Sequence, residues 1–420
     1  MSHLIGVDVG TTRVKAVVYT LDGTVVTSAA VRTPWHESAF GTEMHVEDLN
    51  RAVVEVLARA SDRCDGVAGV GVTGMGESGV LTGDDHRTAL GPIHAWHNQR
   101  GSLAELRDAC GDDGFRRATG LPLDATASLP KILQMRVDYP ATAVASRFYS
   151  VPEWVVRYLG GDPGSEWSLA SRTGMFDVLT ATAWPVAVDL AGTDLLGLPQ
   201  QAGTLVGRAG GTPCLGAIDG AALAVGGHDH QTAALAAGAM RAETLFDSIG
   251  TAEAILRITD ADITRDTIET LVQAGFGVGR TVVPHRLCVM GGLSTGMQLE
   301  RLATSLNAAD GPSRERLADD PTWIDGVTQI VAGAVAMLEA MHRCLGPHRD
   351  VLAAGGWLHD RRVMEAKRRQ LGGLVHAFID EAGAVGAAYL AGHAAGLLPA
   401  PHTVDGPPWP AAVHHQGDPR

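Results

Sequence analysis

The stretch that decides the reading is Ile5-Gly6-Val7-Asp8-Val9-Gly10-Thr11-Thr12-Arg13-Val14-Lys15. A short apolar run carries one acid, turns at Gly-Thr-Thr and resumes as a β-branched run over Val14–Tyr19, which predicts a β-hairpin. Its tip exposes successive N–H groups and hydroxyls to an anion, and Asp8 at the strand end can hold Mg2+, directly or through water. An ordinary hairpin in which Asp8 caps its own turn accounts for the same residues. About 240 positions on, Asp247-Ser248-Ile249-Gly250-Thr251 again places an acid, an apolar residue and a Gly-Thr turn at a strand end. The echo suggests two related halves facing each other, although two Gly-rich hairpins also resemble each other by chance.

Outward from these hairpins, composition narrows the class. The chain has 420 residues, of which 45% are hydrophobic and 19% charged, enough for a substantial core in roughly two to three domains. With 33 basic against 47 acidic side chains the net charge is −14, which argues against a nucleic-acid partner. It does not argue against small phosphate ligands, which backbone N–H groups and metal ions can hold. Five cysteines form no CxxC pair, so neither a zinc site nor a disulfide framework is indicated. The N-terminus lacks a basic region and Asp8 interrupts its apolar run, so it does not read as a signal peptide. No uninterrupted apolar stretch approaches the ~18 residues of a membrane span. The reading is a soluble cytoplasmic protein with no membrane partner.

The pattern predicts a helix over Asn50–Ala60, strands at Val67–Val72, Val80–Leu81 and Ile93–Trp96, and a largely helical region from Gly101 to about Pro199. Leu223–Val225 then leads through Gly226-Gly227-His228-Asp229 into a helix over Gln231–Ala237. Thr244–Ile249 and Ala254–Ile258 form the second hairpin. Ile324–Leu345 is a long apolar-periodic segment, Val351–Ala354 a strand, Arg361–Leu371 a basic helix and Ala384–Gly396 a small-residue helix. The run Lys367-Arg368-Arg369 reads most simply as a solvated face. From Pro401 the chain reads as an irregular tail.

Two motifs mislead. Gly69, Gly71 and Gly74 satisfy GxGxxG but lie inside a β-rich run instead of opening a helix, against a dinucleotide site. Gly292-Leu293-Ser294-Thr295-Gly296 satisfies GxSxG, and a Gly-rich loop before a helix explains it more simply than a nucleophile. Asp229, between a Gly-rich turn and a helix, is placed to take a proton from a substrate hydroxyl or to cap that helix. Trp96-His97-Asn98-Gln99-Arg100 gathers an aromatic, an amide and a guanidinium, which suits a polyhydroxylated ligand but also a packed Trp beside a solvated Arg.

Taken in order, these residues resemble the FGGY carbohydrate kinase family within the actin-like ATPase superfamily. Ile5–Thr12 resembles its first phosphate motif, and Val72–Ser78 and Trp96–Arg100 its sugar-side segments. Thr119-Gly120-Leu121-Pro122 through Ser128 and Lys131 is similar to the segment leading to the family lysine. Gly227–Gln231 looks like the catalytic-aspartate segment and Ser248–Thr251 like the second phosphate motif. Gly355-Gly356, with Glu381 and Gly383 to Ala388, looks like the adenosine-binding end.

The resemblance implies an α/β fold of two actin-like (ribonuclease H-like) domains with an interdomain cleft. Residues 1–239 would form the sugar-binding side and 240–399 the ATP-binding side, with 400–420 as tail. It implies ATP and Mg2+, a sugar or polyol as small-molecule partner, and it admits a homodimer. Asp229 would be the general base, with Mg2+ near Asp8 and Asp229. Gly10, Thr11, Thr12, Lys15, Gly250 and Thr251 would hold phosphates, and Gly355 and Gly356 the adenosine. Met75, Gly76, Glu77, Trp96, Asn98, Arg100, Thr126 and His230 would face the sugar.

Departures from the family pattern refine this. Where the glycerol kinase pattern holds a small polyol with Arg-Glu and a Tyr, this chain has Gly76-Glu77 and Thr126, losing a cation and an aromatic wall. That implies a roomier pocket for a longer sugar, polyol or sugar acid. Asn98 replaces an acid, and Gln134 replaces a tryptophan after the lysine. A GERxP-type segment is missing between Met297 and Trp323, so the second domain reads as shortened. A kinase is the first reading; a degenerate member that binds sugar or nucleotide without catalysis is the second.

Overall fold

The computed structural model describes residues 2–64, 66–212, 215–250, 252–260, 262–308, 311–372, 374–403, 406–409 and 414–415. Two mixed sheets organise it. The first is built from β1 (His3–Val9), β2 (Arg13–Thr20), β3 (Val25–Arg32), β4 (Val67–Gly74) and β5 (Ala222–His228), in the order β5-β4-β1-β2-β3. β1-β2-β3 is an antiparallel meander, while β4 and β5 run parallel on the other flank of β1.

The second sheet repeats this plan with β6 (Thr244–Ile249), β7 (Glu253–Asp260), β8 (Phe276–Arg280), β9 (Arg286–Leu293), β10 (Asp350–Ala354), β11 (Val375–Phe378) and β12 (His414–His415). Its order is β8-β9-β7-β6-β10-β11-β12, with β6-β7-β9-β8 antiparallel and β10 and β11 parallel to β6. The hairpins β1-β2 and β6-β7 therefore occupy equivalent places, and the likeness read from the two Gly-Thr turns is topological.

β1 reads as an almost unbroken apolar run because both of its faces are covered. On one side lies α1 (Val46–Ser61), one turn longer at its start than the sequence predicts, with Leu49, Val53, Val56 and Leu57 packed against Ile5, Val7 and Val18. On the other lies α6 (Ala382–Ala394), whose Ala384 and Ala388 meet Leu4 and Val17. This contact is close because the strands are glycine there. A Cβ on Gly6 would sit 1.8 Å from the Ala384 carbonyl oxygen, and one on Gly71 1.9 Å from that of Ala387. So the GxGxxG match in β4 serves helix packing, and α6, assigned by sequence to the second half, lies on the first sheet.

The region from Gly101 to Pro199 holds α2 (Ala104–Thr119) and α3 (Ser128–Asp138), but it is not helical throughout: Arg147–Ser150 is a strand paired with Gly79–Thr82. Between the sheets runs α4 (Asp229–Ala237), in contact with α6. The apolar run predicted over Ile324–Leu345 breaks at Gly333 into Pro321–Ala332 and Val335–Leu345. By length and composition it could cross a membrane, yet Trp323, Val327 and Val331 pack against Ile249 and Ala353 of the second sheet. The tail is not irregular in all its described residues. Trp409 is buried against Tyr19 and Tyr389 and donates to the Leu21 carbonyl, and β12 pairs with β11.

Candidate active site

A cleft of about 430 Å³ opens between the two hairpins. Asp8 and Lys15 from the first sheet line it, with Asp229 and His230 from α4, Ser248 from β6, Gly355 and Gly356 after β10, and Asp380, Glu381 and Gly383 at the start of α6. Strand alternation sets which residues arrive there: Asp8 stands opposite Lys15 across β1-β2, and Ser248 opposite Ala254 across β6-β7.

Asp229 is the first residue of α4, with His228 as its N-cap, so the helix N-terminus favours its charge. The amide of His230 donates to Asp229 Oδ1 at 2.7 Å, and His228 Nδ1 lies 3.0 Å from the same oxygen. Burial works against the Asp229 charge, but His230, His228 and these hydrogen bonds outweigh it and hold the carboxyl below the ordinary carboxylate range. Asp8 behaves oppositely. Burial first, then the Asp229 charge, push its carboxyl up to about 7, with Lys15 opposing. Asp8 Oδ1 has no hydrogen-bond partner among the described residues.

The hairpin tip is fastened from outside. Trp35 Nε1 donates to the Thr11 carbonyl at 2.8 Å, Thr33 Oγ1 to the Gly10 carbonyl at 2.7 Å, and the Thr33 amide to the Thr12 carbonyl at 3.0 Å. Trp96, placed on the sugar side by sequence, donates its indole N–H to Thr11 Oγ1 at 2.9 Å and so links the two sides. Lys15 pairs with Glu381, at the start of α6, at 2.5 Å. Gly250 closes the second turn through its amide to the Ala252 carbonyl at 2.9 Å; Thr251 lies outside the described residues.

Among the residues that the sequence assigns to the sugar, Lys131 is buried and donates to the carbonyls of Trp96, at 3.0 Å, and Thr126. Burial pulls its ammonium down to about 8. Ser128 Oγ donates to the Glu77 carbonyl at 3.1 Å, so Glu77, Trp96, Thr126 and Lys131 converge. His230 stacks on His228, with ring centroids 5.7 Å apart.

Other sequence candidates are committed elsewhere. Met75 is buried in the core of the first sheet. Asn98 donates its side-chain amide to the Phe40 carbonyl at 3.0 Å and accepts from the Arg100 amide, bracing the loop at Gly41. Arg100 is held by Asp138 through two contacts at 2.5 and 2.6 Å. Lys367 is not part of a solvated face: it is 0% exposed and pairs with Asp247, at 3.0 Å, and with Glu253.

Arg172 is the residue that sequence reasoning missed. Its Nε lies 2.6 Å and its Nη2 2.5 Å from Glu77 Oε1, so the cation absent at position 76 is present in space. The segment around it is a junction: Ser168 Oγ accepts from the His228 amide at 2.9 Å, and Ser171 Oγ from the Arg280 amide at 2.8 Å. A lone Arg in Ser168-Leu169-Ala170-Ser171-Arg172 carries no spacing signal toward a glutamate 95 positions away.

A family description, the N-terminal domain of the FGGY family of carbohydrate kinases, matches residues 3–236. The chain belongs to the FGGY family of carbohydrate kinases. A glycerol kinase of Aromatoleum aromaticum is 30% identical over 199 residues, covering 42% of this chain and 39% of that protein. An Escherichia coli autoinducer-2 kinase is 28% identical over 262 residues, covering 57% and 48%. A Bacillus subtilis gluconokinase is 25% identical over 183 residues, covering 42% and 36%. The chain thus spans less than half the length of these curated relatives. The whole FGGY fold is present nonetheless. A xylulose kinase from Lactobacillus acidophilus superposes with a TM-score of 0.85 at 16% identity, covering 99% of this chain and 93% of that one. A gluconate kinase from the same organism gives 0.86 at 16%, with 99% and 93% covered. The two sheets of equal order are the two actin-like halves of this family.

Proposed function

We propose that this chain transfers a phosphoryl group from ATP to a hydroxyl of a sugar, polyol or sugar acid. The observation that carries the reading is the pair of carboxylates in the cleft, one held ionised on a helix N-terminus and the other buried with an unpartnered oxygen. In this reading residues near 239 separate the sugar-binding half from the nucleotide-binding half.

Asp229 accepts the proton of the attacking hydroxyl as its oxygen bonds to the transferred phosphorus and the bond to the ADP oxygen breaks. Its low proton affinity fits a base that must stay ionised until the hydroxyl acidifies in the transition state. Glu77 and Trp96 hold the acceptor beside it, with Lys131 bracing the Trp96 and Thr126 carbonyls behind them. Lys15 leaves Glu381 for the phosphates, and the two Gly-Thr turns are where the sequence places the remaining phosphate contacts. Gly355 and Gly356 receive the adenosine.

Among the described residues no group of three or more His, Cys, Asp or Glu side chains encloses a metal ion. Two carboxylates in one cleft nevertheless fit Mg2+, which takes one or two protein carboxylates and completes its shell with phosphates and water. Asp8, with Asp229 beside it, would hold the ion, which supplies neutralisation of the phosphate charge.

The test is a coupled ADP-release assay over pentuloses, hexuloses, aldonates, polyols and cyclitols. ADP release should depend on one of these acceptors, and Asp229→Ala should lower kcat by at least ~10²–10⁴-fold with the fold intact by circular dichroism. Near-full activity of Asp229→Ala removes the base assignment. Binding of ATP and sugar with no phosphorylated product favours a binding-only family member.

A further inference from the structure

We propose, building on that kinase reading, that Arg172 is a positioning residue that sets affinity for the acceptor by holding the Glu77 carboxylate toward it. Glu77 has φ +60°, a left-handed conformation that a glutamate rarely adopts, and it is nearly buried. Such a side chain needs a partner to fix its direction. The Arg172 fork supplies it, and both contacts fall on Oε1, which leaves the lone pairs of Oε2 for a ligand hydroxyl.

The guanidinium reaches Glu77 through space vacated at Gly76. A Cβ on Gly76 would stand 3.0 Å from Arg172 Cγ, 3.2 Å from Arg172 Cβ and 2.9 Å from His228 Cδ2. A side chain at position 76 would therefore press on both Arg172 and His228. The far edge of the fork rests on the second sheet: a Cβ on Gly277 would stand 2.5 Å from Arg172 Nη1. Arg172 therefore touches the Glu77 loop and β8 of the opposite half at once. Glu77 is thus not without a cation: the guanidinium beside it comes from another segment.

This makes a relocation test available, with the panel acceptor of highest kcat/KM as probe. Arg172→Ala should raise the acceptor KM by about 10- to 100-fold while the ATP KM changes by less than about 2-fold. Moving the guanidinium in the double variant Arg172→Ala/Gly76→Arg should restore most of the lost acceptor affinity. If Arg172→Ala does not fold, Arg172→Lys should raise acceptor KM alone, because it keeps the charge and loses the fork. An acceptor KM within about 2-fold of wild type in Arg172→Ala, with only the melting temperature lowered, overturns the proposal and leaves a structural ion pair. So does an equal rise in both KM values, or a folded double variant no better than Arg172→Ala. A wild-type chain that releases no ADP with any acceptor overturns the kinase reading itself, a result distinct from all of these.

Discussion

The two central hairpins share a register but spend their charges on opposite faces. In β1-β2 the cleft-facing pair is Asp8 and Lys15, while Val7, Val9 and Val14 are buried behind. In β6-β7 the cleft-facing pair is Ser248 and Ala254, and the carboxylates Asp247 and Glu253 face backward into α5 (Arg361–Leu371), where Lys367 meets them. Because strand side chains alternate, moving an acid by one position along equivalent strands transfers it from cleft to core. The acid aimed at the cleft keeps one oxygen, Oδ1, without a hydrogen-bond partner among the described residues, open to a ligand. The acids aimed at the core are given a lysine, because a buried unpaired charge costs several kcal/mol.

The strongest way to break this contrast is to remove the buried cation. Lys367→Met should destabilise the fold by about 3–5 kcal/mol in urea unfolding, because two carboxylates lose their only named cation. A loss under about 1 kcal/mol would mean that Asp247 and Glu253 do not depend on it.

A second buried lysine sharpens the role of the partner. Asp247 and Glu253 outweigh burial and hold Lys367 above the ordinary lysine range, whereas Lys131, bonded to carbonyls, is drawn down to about 8. Lys131 binds its proton less tightly folded than unfolded. Its effect on stability is therefore constant below about 8 and increasingly favourable as pH rises from there to its ordinary 10.5. Urea unfolding of wild type should show a rise of up to roughly 3 kcal/mol over that interval relative to Lys131→Met. Parallel pH profiles for the two proteins would rule out this titration.

The smallest effect belongs to the cleft acid. Asp8→Asn removes a buried carboxylate that repels Asp229, so it should stabilise the apo fold by about 1 kcal/mol while abolishing the rise in melting temperature caused by Mg2+ with ATP. Retention of that rise would show that Asp8 does not hold the ion.

The kinase motifs were legible because each is local: Asp8–Thr12, Gly227–Gln231 and Gly355-Gly356 are runs of neighbours whose turn chemistry and order survive in the sequence. Asn98 and Arg100 were legible as polar groups but not as partners of Phe40 and Asp138, since spacing says nothing of which side of a loop a side chain takes. The Lys367-Arg368-Arg369 run misled because a charged triplet looks solvated unless the facing strand is known.

Sequence by itself determined the two hairpins, the family, the base candidate Asp229 and the alternation that turns Asp8 toward the cleft. Tertiary structure alone decided that α6 crosses onto the first sheet over Gly6 and Gly71, that Lys367 pairs with the acids of the second hairpin, and that Arg172 lies against Glu77. The reason is range. Backbone propensity and side-chain alternation act within a few residues, whereas charge pairing and close packing join groups that only the fold brings within 3 Å, as it does for Arg172 and Glu77 at 2.5 Å.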